Sequence, residues 1–194
     1  MKTSEIITSF KQGGTGNCVS IAVIKAGIQI FGVDKVVHFE RTPENGYSFT
    51  MRDGFEGTLT AGEIIQVAEG SEFLLLENKE VLEYANLCFA SMAKRALSEE
   101  HEGARTILDA VESLNNGEYY YLGADWLGLR HHKRPVGLKY IWNNIGVVGA
   151  SRGHCFFCSE GLVDDYGIPN RISLIDRIKY KFFSYYRIAA EPHY

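Results

Sequence analysis

Apolar residues recur at helical spacing soon after the N-terminus. The pattern predicts a helix from about Cys18 to Phe31, which Asn17 would cap and Gly32 would end. Lys25 and Gln29 lie one turn apart on the side of this helix that we expect to be wetter. The side expected to face a core carries Ile21, Ile24, Ile28 and Phe31.

The next part of the chain has the pattern of a hairpin followed by helices. Residues 35–41 and 47–52 have the composition of strands, and the Asn-Gly at 45–46 between them is a turn signal. Thr60 and Glu63 have the spacing of a capping box, which predicts the start of a helix. Two longer helices are predicted at Lys79–Ser98 and at about 104–114.

The last third of the chain changes to strand-like runs rich in Ile, Phe and Tyr. These runs are 153–160, 171–179 and 181–189. Residues 161–170 carry turn-forming residues and are predicted to be a loop. Helices first and an antiparallel sheet last indicate an α+β fold. We expect a single domain, 1–194, with a helical lobe at about 1–130 and a β lobe at about 131–194.

Composition excludes several classes of partner. Apolar residues make up 45% and charged residues 23%, as in ordinary globular proteins. The net charge of −4 and the lack of a basic stripe predict no nucleic-acid partner, because phosphate contacts supply most of that affinity. No run reaches the ~20 apolar residues of a membrane span, so no membrane partner is expected.

Localisation is predicted from the N-terminus and the cysteines. The first ten residues have no apolar core of signal-peptide length. The four cysteines lack the spacing of a disulfide framework, which favours a reducing compartment. We therefore expect a cytoplasmic protein, with export by a route that needs no N-terminal signal left open.

The strongest chemical signal is the segment QGGTGNC at residues 12–18. It places Cys18 in the first turn of the predicted helix, where unpaired N–H groups and the helix dipole favour a thiolate. The thiolate is the nucleophilic form of cysteine. The alternative interpretation is that Cys18 is a small apolar residue packed under the helix.

Gln12 and His154 supply two further parts of a catalytic site. Gln12 lies six residues before Cys18, and its NH₂ group could stabilise the oxygen of a tetrahedral intermediate beside the Cys18 N–H. His154 lies 136 residues after Cys18, within the range of about 130–150 known for one class of cysteine enzymes. It begins a strand-like run, and a strand holds a general base rigidly. The alternative is a histidine that simply belongs to the core.

A base of this kind needs a third group to orient its ring. Asp176 is interpreted as that group, because it is the polar residue inside the apolar run 172–178. Asn170 is the second choice, and Asp164 and Asp165 are further alternatives, all three in the predicted loop.

The other reactive residues receive structural interpretations. Cys155 and Cys158 form a C-x-x-C, but residues three apart on a strand point to opposite faces, so a shared metal or disulfide is not expected. Trp126 and the tyrosines at 119–121 are expected in the core and in a cleft wall. No cofactor and no metal is expected.

With these residues the chain resembles the papain-like cysteine peptidase superfamily, and within it the calpain-like catalytic domain. Segment 12–18 resembles the calpain cysteine segment, with Asn17 where calpains usually have Asp. His154, preceded by Gly and followed by aromatic residues, resembles the calpain histidine segment. Residues 172–178 resemble the strand that follows it, with Asp176 near the calpain Asn and without the Pro-Trp-Gly that calpains carry there. The resemblance implies a papain-like two-lobed fold.

The residues and the resemblance together predict a cysteine peptidase. It would cleave amide bonds of a protein or peptide substrate through a thioester intermediate. One alternative is an acyltransferase, or a deamidating or transglutaminase-like enzyme, with the same triad. Another is a catalytically silent papain-like module that binds partners. No calcium loop of the EF-hand type is present, so the sequence does not indicate calcium control.

Overall fold

The computed structural model describes residues 1–173 and 176–194 as an α+β fold. The helices of that part are α1 (Thr3–Ile7), α2 (Cys18–Phe31), α3 (Ala61–Ser71), α4 (Lys79–Ser98), α5 (Ile107–Asn115), α6 (Gly123–Trp126) and α7 (Arg177–Tyr180). The strands are β1 (Phe10–Lys11), β2 (His38–Arg41), β3 (Tyr47–Thr50), β4 (Glu56–Leu59), β5 (Leu74–Leu75), β6 (Lys133–Val136), β7 (Val147–Ser151), β8 (His154–Ser159), β9 (Leu162–Asp165), β10 (Ile168–Arg171) and β11 (Ser184–Ile188). The longer helices therefore come first and the largest sheet last, as the sequence predicts.

Local sequence signals fix the ends of the longer helices. The predicted bounds of α2 and α4 are confirmed, and α2 ends at Gly32, whose φ of 93° favours glycine. The predicted capping box starts α3: the Thr60 hydroxyl accepts from the Glu63 N–H at 3.1 Å, and the Glu63 carboxylate accepts from the Thr60 N–H at 2.8 Å. Helix α5 begins at Ile107, later than predicted, because Thr106 caps it.

The predicted hairpin belongs to a small sheet next to the helices. Strands β2, β3 and β4 form an antiparallel sheet in that order, with Arg41 opposite Tyr47 across the predicted turn. Strand β4 was not predicted. Phe49 and Leu59 of this sheet are buried in the same core as the helices. The sheet therefore braces the helices and does not contribute to the candidate site.

The second half of the chain builds an antiparallel sheet with the strand order β10-β9-β8-β7-β11-β6 among the described residues. Two tight turns connect its strands, one from β8 to β9 and one from β9 to β10. The turn residues are Glu160, Gly161, Tyr166 and Gly167, with φ of 53°, 75°, 49° and 88°. Two successive positive φ values are typical of type I′ hairpin turns, whose twist matches that of the flanking strands. These turns fix the register of β8, β9 and β10.

Helix α2 crosses one face of this sheet along β8. Successive residues of β8 point to opposite faces. Cys155 and Phe157 lie in the core under α2, whereas Phe156 and Cys158 lie in a smaller core on the other face, together with Tyr180. The two cysteines therefore face opposite ways, as predicted, and all four cysteines of the chain are free thiols. The core under α2 continues between the other helices, so the helices and the sheet share one apolar interior.

Two predictions for the C-terminal region are wrong. Residues 161–170 do not form a loop but contain β9, β10 and the tight turn between them. Residues 171–179 do not form one strand, because β10 ends at Arg171 and Asp176 immediately precedes helix α7. Positions 174 and 175 of the predicted strand lie outside the described residues.

The prediction that Lys25 lies on the wetter side of α2 is also wrong. The Lys25 side chain is 0% exposed and lies between α2 and the sheet. Helical periodicity assigned it to solvent because lysine is usually exposed. The structure instead gives its ammonium buried partners, among them Asp164.

Within residues 1–173 and 176–194, no helix combines the length and the apolar character needed to cross a lipid bilayer.

The core between α2 and β8 yields a stability prediction. Phe157 is 0% exposed there, so Phe157→Ala should lower the free energy of unfolding by about 3–5 kcal/mol, through lost burial and the cavity left behind. Phe182 is 84% exposed, so Phe182→Ala is a matched control expected to change stability by less than about 0.5 kcal/mol. Urea denaturation monitored by circular dichroism measures both. Equal effects of the two variants would contradict the packing described above.

Candidate active site

The glycine-rich segment before Cys18 is held tightly by the ends of two helices. A Cβ at Gly13 would collide with the carbonyl oxygen of Glu72, just after α3. A Cβ at Gly16 would collide with the carbonyl oxygen of Asn115, the last residue of α5. The Gly16 N–H donates to that same oxygen at 2.8 Å. Glycine is therefore required at these two positions by close backbone approach.

Asn17 anchors the segment just before the helix begins. Its side chain is fully buried, and its NH₂ group donates to the Ser71 carbonyl oxygen at 2.7 Å and to the Asn115 carboxamide oxygen at 2.9 Å. It occupies the predicted N-cap position of α2 but makes no side-chain capping hydrogen bond. Its bonds instead reach α3 and α5, which fixes the direction in which the chain enters α2.

Cys18 is the first residue of α2 and is half-buried. The first backbone hydrogen bond of the helix runs from the Ile21 N–H to the Asn17 carbonyl at 3.1 Å. The N–H groups of Cys18 and of the next two residues therefore have no acceptor within the helix. Such groups, together with the helix dipole, favour a negative charge at the sulfur.

Cys18 opens into a cavity of about 350 Å³ that also includes Gln12 and His154, and we call it the cleft. Tyr119 and Tyr120 form part of its wall, as expected for this tyrosine-rich segment. The same three residues, Gln12, Cys18 and His154, border a second recess of about 20 Å³. The fold therefore brings the predicted nucleophile, base and carboxamide together, although they are far apart in the sequence.

Gln12 reaches the cleft directly after strand β1. Strand β1 pairs with β5, with Lys11 opposite Leu74, and this pairing directs the following residues toward Cys18. The Gln12 NH₂ group donates one hydrogen bond to the Thr15 carbonyl oxygen. A carboxamide nitrogen carries two hydrogens, so a second donor remains for a ligand.

His154 is presented by the hairpin between β7 and β8. Ser151 pairs with His154, and the turn between them contains Gly153 with φ of 82°. The His154 ring stacks on the Tyr166 ring, with centroids 5.1 Å apart and planes 19° apart. Tyr166 holds this position in a left-handed conformation that is uncommon for a bulky residue. Sequence reasoning missed Tyr166, and its position before Gly167 is the only local signal of this turn.

His154 shares its sheet face with Asp165 and Asn170. Cys158 pairs with Val163, and Val163 pairs with Asn170, so these residues lie on one face. Residues two apart along a strand share a face, which adds His154 on β8 and Asp165 on β9. The Asn170 NH₂ group donates to the Asp165 carboxylate at 3.0 Å.

The charges of two carboxylates act on His154, and that of Asp165 has the larger effect. Burial lowers the pKa of His154 below its ordinary value, and the charge of Asp165, followed by that of Asp164, raises it in part. Negative charges favour the imidazolium, which is why these two carboxylates raise the pKa of His154. Asp165, Asn170 and His154 also line a cavity of about 380 Å³ that Cys18 does not border, which we call the outer cavity.

Asp176 lies outside the strand in which it was predicted. Its carboxylate accepts from the Ser173 N–H at 2.8 Å and from the Ser173 hydroxyl at 2.7 Å. These bonds lower the pKa of Asp176. Asp176 lines the same outer cavity as His154, but it lies before α7 rather than within a strand. The strand argument that selected Asp176 is therefore wrong, whereas its role as the orienting group stays a prediction.

Cys18 and His154 face the cleft without a direct bond. Among the described residues, no hydrogen bond joins the Cys18 sulfur to the imidazole. Catalytic hydrogen bonds of this kind commonly tighten only when substrate binds. A thiol at a helix N-terminus, an imidazole across a cleft and a carboxylate behind the imidazole can together carry out nucleophilic acyl transfer.

Comparison with known proteins adds no relative to this description. No family model, no curated protein and no solved structure was found to match the chain.

The identity of the orienting acid can be tested by titration. Because the charge of Asp165 raises the His154 pKa, Asp165→Asn should lower that pKa further. Asp176→Asn is the matched control and should leave it unchanged, because Asp176 bonds to Ser173. NMR titration of the His154 ring measures both. A shift caused by Asp176→Asn and not by Asp165→Asn would restore Asp176 as the orienting residue.

Proposed function

We propose that this protein is a papain-like cysteine hydrolase that cleaves amide bonds of a polypeptide. The observation that carries the proposal is the shared cleft: Cys18 at the start of a long helix, with Gln12 and His154 on the same cavity. If Cys18 were only an apolar packing residue, a carboxamide and an imidazole would not be needed on the same cavity. The resemblance of segment 12–18 to the calpain cysteine segment supports the same conclusion.

The arrangement of elements agrees with a papain-like fold. In the proposal, the helices of the first part and the antiparallel sheet of the second part correspond to the two lobes. The nucleophile begins a helix and the base begins a strand, and these two elements pack directly on each other. The substrate would enter between Gln12 and the tyrosine wall on one side and His154 on the other.

The first half of the reaction forms a thioester. His154 takes the proton of the Cys18 thiol, and the sulfur attacks the amide carbonyl carbon. The tetrahedral intermediate then collapses: the C–N bond breaks, and His154 returns its proton to the departing amine. The acyl group remains on Cys18.

The second half releases the acyl group. His154 takes a proton from a water molecule, and the water oxygen attacks the thioester carbonyl carbon. The C–S bond breaks, the carboxylic acid leaves and Cys18 regains its proton. His154 therefore serves as base and then as acid in each half.

Gln12 and the Cys18 N–H would stabilise the oxyanion in both halves. The recess of about 20 Å³ that both residues border has room for one oxygen atom. The free hydrogen of the Gln12 carboxamide and the unpaired N–H at the start of α2 are donors of the required kind. Developing negative charge at this place would also benefit from the helix dipole.

Asp165 is the orienting acid in this proposal. It shares a sheet face with His154, and its charge favours the imidazolium that forms when Cys18 loses its proton. Asn170 fixes its carboxylate through a hydrogen bond of 3.0 Å. Asp165 and Asn170, which the sequence analysis named as alternatives to Asp176, are therefore hydrogen-bonded to each other.

Covalent labelling tests the nucleophile. An epoxide or vinyl-sulfone probe should modify the wild-type protein at one residue, Cys18, and Cys18→Ala should abolish labelling. Burial raises the pKa of Cys88 to about 12, so Cys88→Ala is a matched control that should keep full labelling. Peptide mapping by mass spectrometry identifies the site. Labelling that persists in Cys18→Ala would refute the assignment.

Gln12 is tested through the rate of the chemical step. Gln12→Ala should lower kcat by ~10²–10³ with little change in KM, because the oxyanion contact exists only in the transition state. Gln66 is exposed on α3, so Gln66→Ala should leave kcat unchanged. Hydrolysis of a fluorogenic peptide library supplies the assay. Product analysis with an added amine separates hydrolysis from acyl transfer, the alternative that uses the same residues.

A further inference from the structure

The Lys25 ammonium is a buried junction between three segments of the chain. Its side chain is 0% exposed. It donates to the Ile7 carbonyl at 3.0 Å, to the Phe10 carbonyl at 2.7 Å and to the Asp164 carboxylate at 2.7 Å. The ammonium also lies 4.7 Å from the centroid of the Phe10 ring. All three of its donor hydrogens therefore have an acceptor.

Each of these segments leads to a residue of the proposed site. Lys25 lies seven residues, about two helical turns, after Cys18, so both are on the same side of α2. Phe10 belongs to β1, and Gln12 follows it two residues later. Asp164 belongs to β9 and immediately precedes Asp165.

The other oxygen of Asp164 extends the junction to the histidine. It accepts from the Gly167 N–H at 2.7 Å, in the tight turn between β9 and β10. That turn carries Tyr166, whose ring stacks on His154. The junction is therefore connected to the base by one hydrogen bond and one ring contact.

Stability alone is a poor reason for a lysine in this place. Removing an ion from water costs several kcal/mol, and apolar residues of similar volume often replace a buried ion pair with no loss of stability. Burial accordingly lowers the pKa of Lys25, against the opposing charge of Asp164. An apolar side chain could fill the volume but could not hold two carbonyls and a carboxylate at fixed positions.

We propose that Lys25 and Asp164 are positioning residues, which hold the nucleophile, the oxyanion donor and the base at their reactive separation. The inference rests on the proposed function of the cleft. Neither residue borders the cleft. Asp164 borders the recess of about 20 Å³ and its charge reaches His154, whereas Lys25 acts only through the elements that it joins. A displacement of about 1 Å between reacting groups can lower a rate by ~10²-fold.

The test uses a double variant that lacks both charges, so that a loss of positioning can be separated from a loss of stability. Lys25→Met and Asp164→Asn each leave one buried charge unpaired and should lower the unfolding temperature. The double variant Lys25→Met/Asp164→Asn removes both charges and keeps an acceptor for Gly167, so its unfolding temperature should recover in part. The recovery is incomplete because the Ile7 and Phe10 carbonyls lose their donor. Its kcat should still be ~10²-fold below wild type, with KM nearly unchanged. Lys94→Met removes an ion pair with Glu63 far from the cleft and should leave kcat unchanged.

A second readout needs no substrate. The rate of iodoacetamide alkylation at Cys18 is measured with and without His154→Ala in each background, and the ratio reports how strongly the imidazole assists the thiol. The ratio should be large in wild type and in Lys94→Met, and should approach one in the double variant. A ratio near one in wild type would refute the proposed function itself. A large ratio in wild type that the double variant retains, or a double variant with wild-type kcat, would overturn the positioning role.

Discussion

The packing of helix α2 across strand β8 is the contact on which the candidate site depends. Residues 19–28 of the helix are all buried, and Cys155 and Phe157 face them from the strand. A close-packed interface of this kind cannot slide or rotate without opening voids. Cys18 begins the helix and His154 begins the strand, and both border the same cleft. Two rigid elements therefore carry the proposed nucleophile and the proposed base, which favours precise geometry.

The alternation of side chains along β9 gives two neighbouring acids different surroundings. Asp164 points toward α2, where Lys25 neutralises it at 2.7 Å. Asp165 lies on the opposite face, with His154 and Asn170. Because the inner carboxylate is paired, the outer one can lie beside it with little mutual repulsion. One strand thus contributes an acid that pairs with Lys25 and an acid that we propose orients the imidazole.

The sequence predicted the parts of the fold that local signals determine. Helix α2 agrees at both ends, because the glycine-rich segment before it and Gly32 after it are strong signals. Strands β9 and β10 were missed because their turns use Glu160 and Tyr166 rather than the Asn or Asp usual before Gly. With that region assigned to a loop, Asp176 looked like the only acid on a strand.

Lys25 shows a different limit of sequence reasoning. Helical periodicity compares a residue with its neighbours along one helix, and a lysine between apolar residues is normally assigned to solvent. Its burial depends on Asp164, 139 residues later in the chain, and on the carbonyl oxygens of Ile7 and Phe10. Periodicity has no access to partners of that kind. One signal was available in the sequence. The residues on both sides of Lys25 are apolar, so the helix has little polar face on which the lysine could reach solvent.

The charge state of His154 at rest decides how the proposed reaction begins. Burial is the largest influence on its pKa and moves it below the ordinary value, which favours the neutral imidazole. A neutral imidazole is the form that can accept a proton from the thiol in the proposed reaction. The helix N-terminus stabilises the sulfur charge, and Asp165 stabilises the imidazolium that forms beside it. The stacked Tyr166 ring adds an apolar surface that favours the neutral ring before attack. In the proposed reaction the polar groups around the cleft would stabilise the charges of the transition state more than those of the resting enzyme, and only such a difference accelerates a reaction.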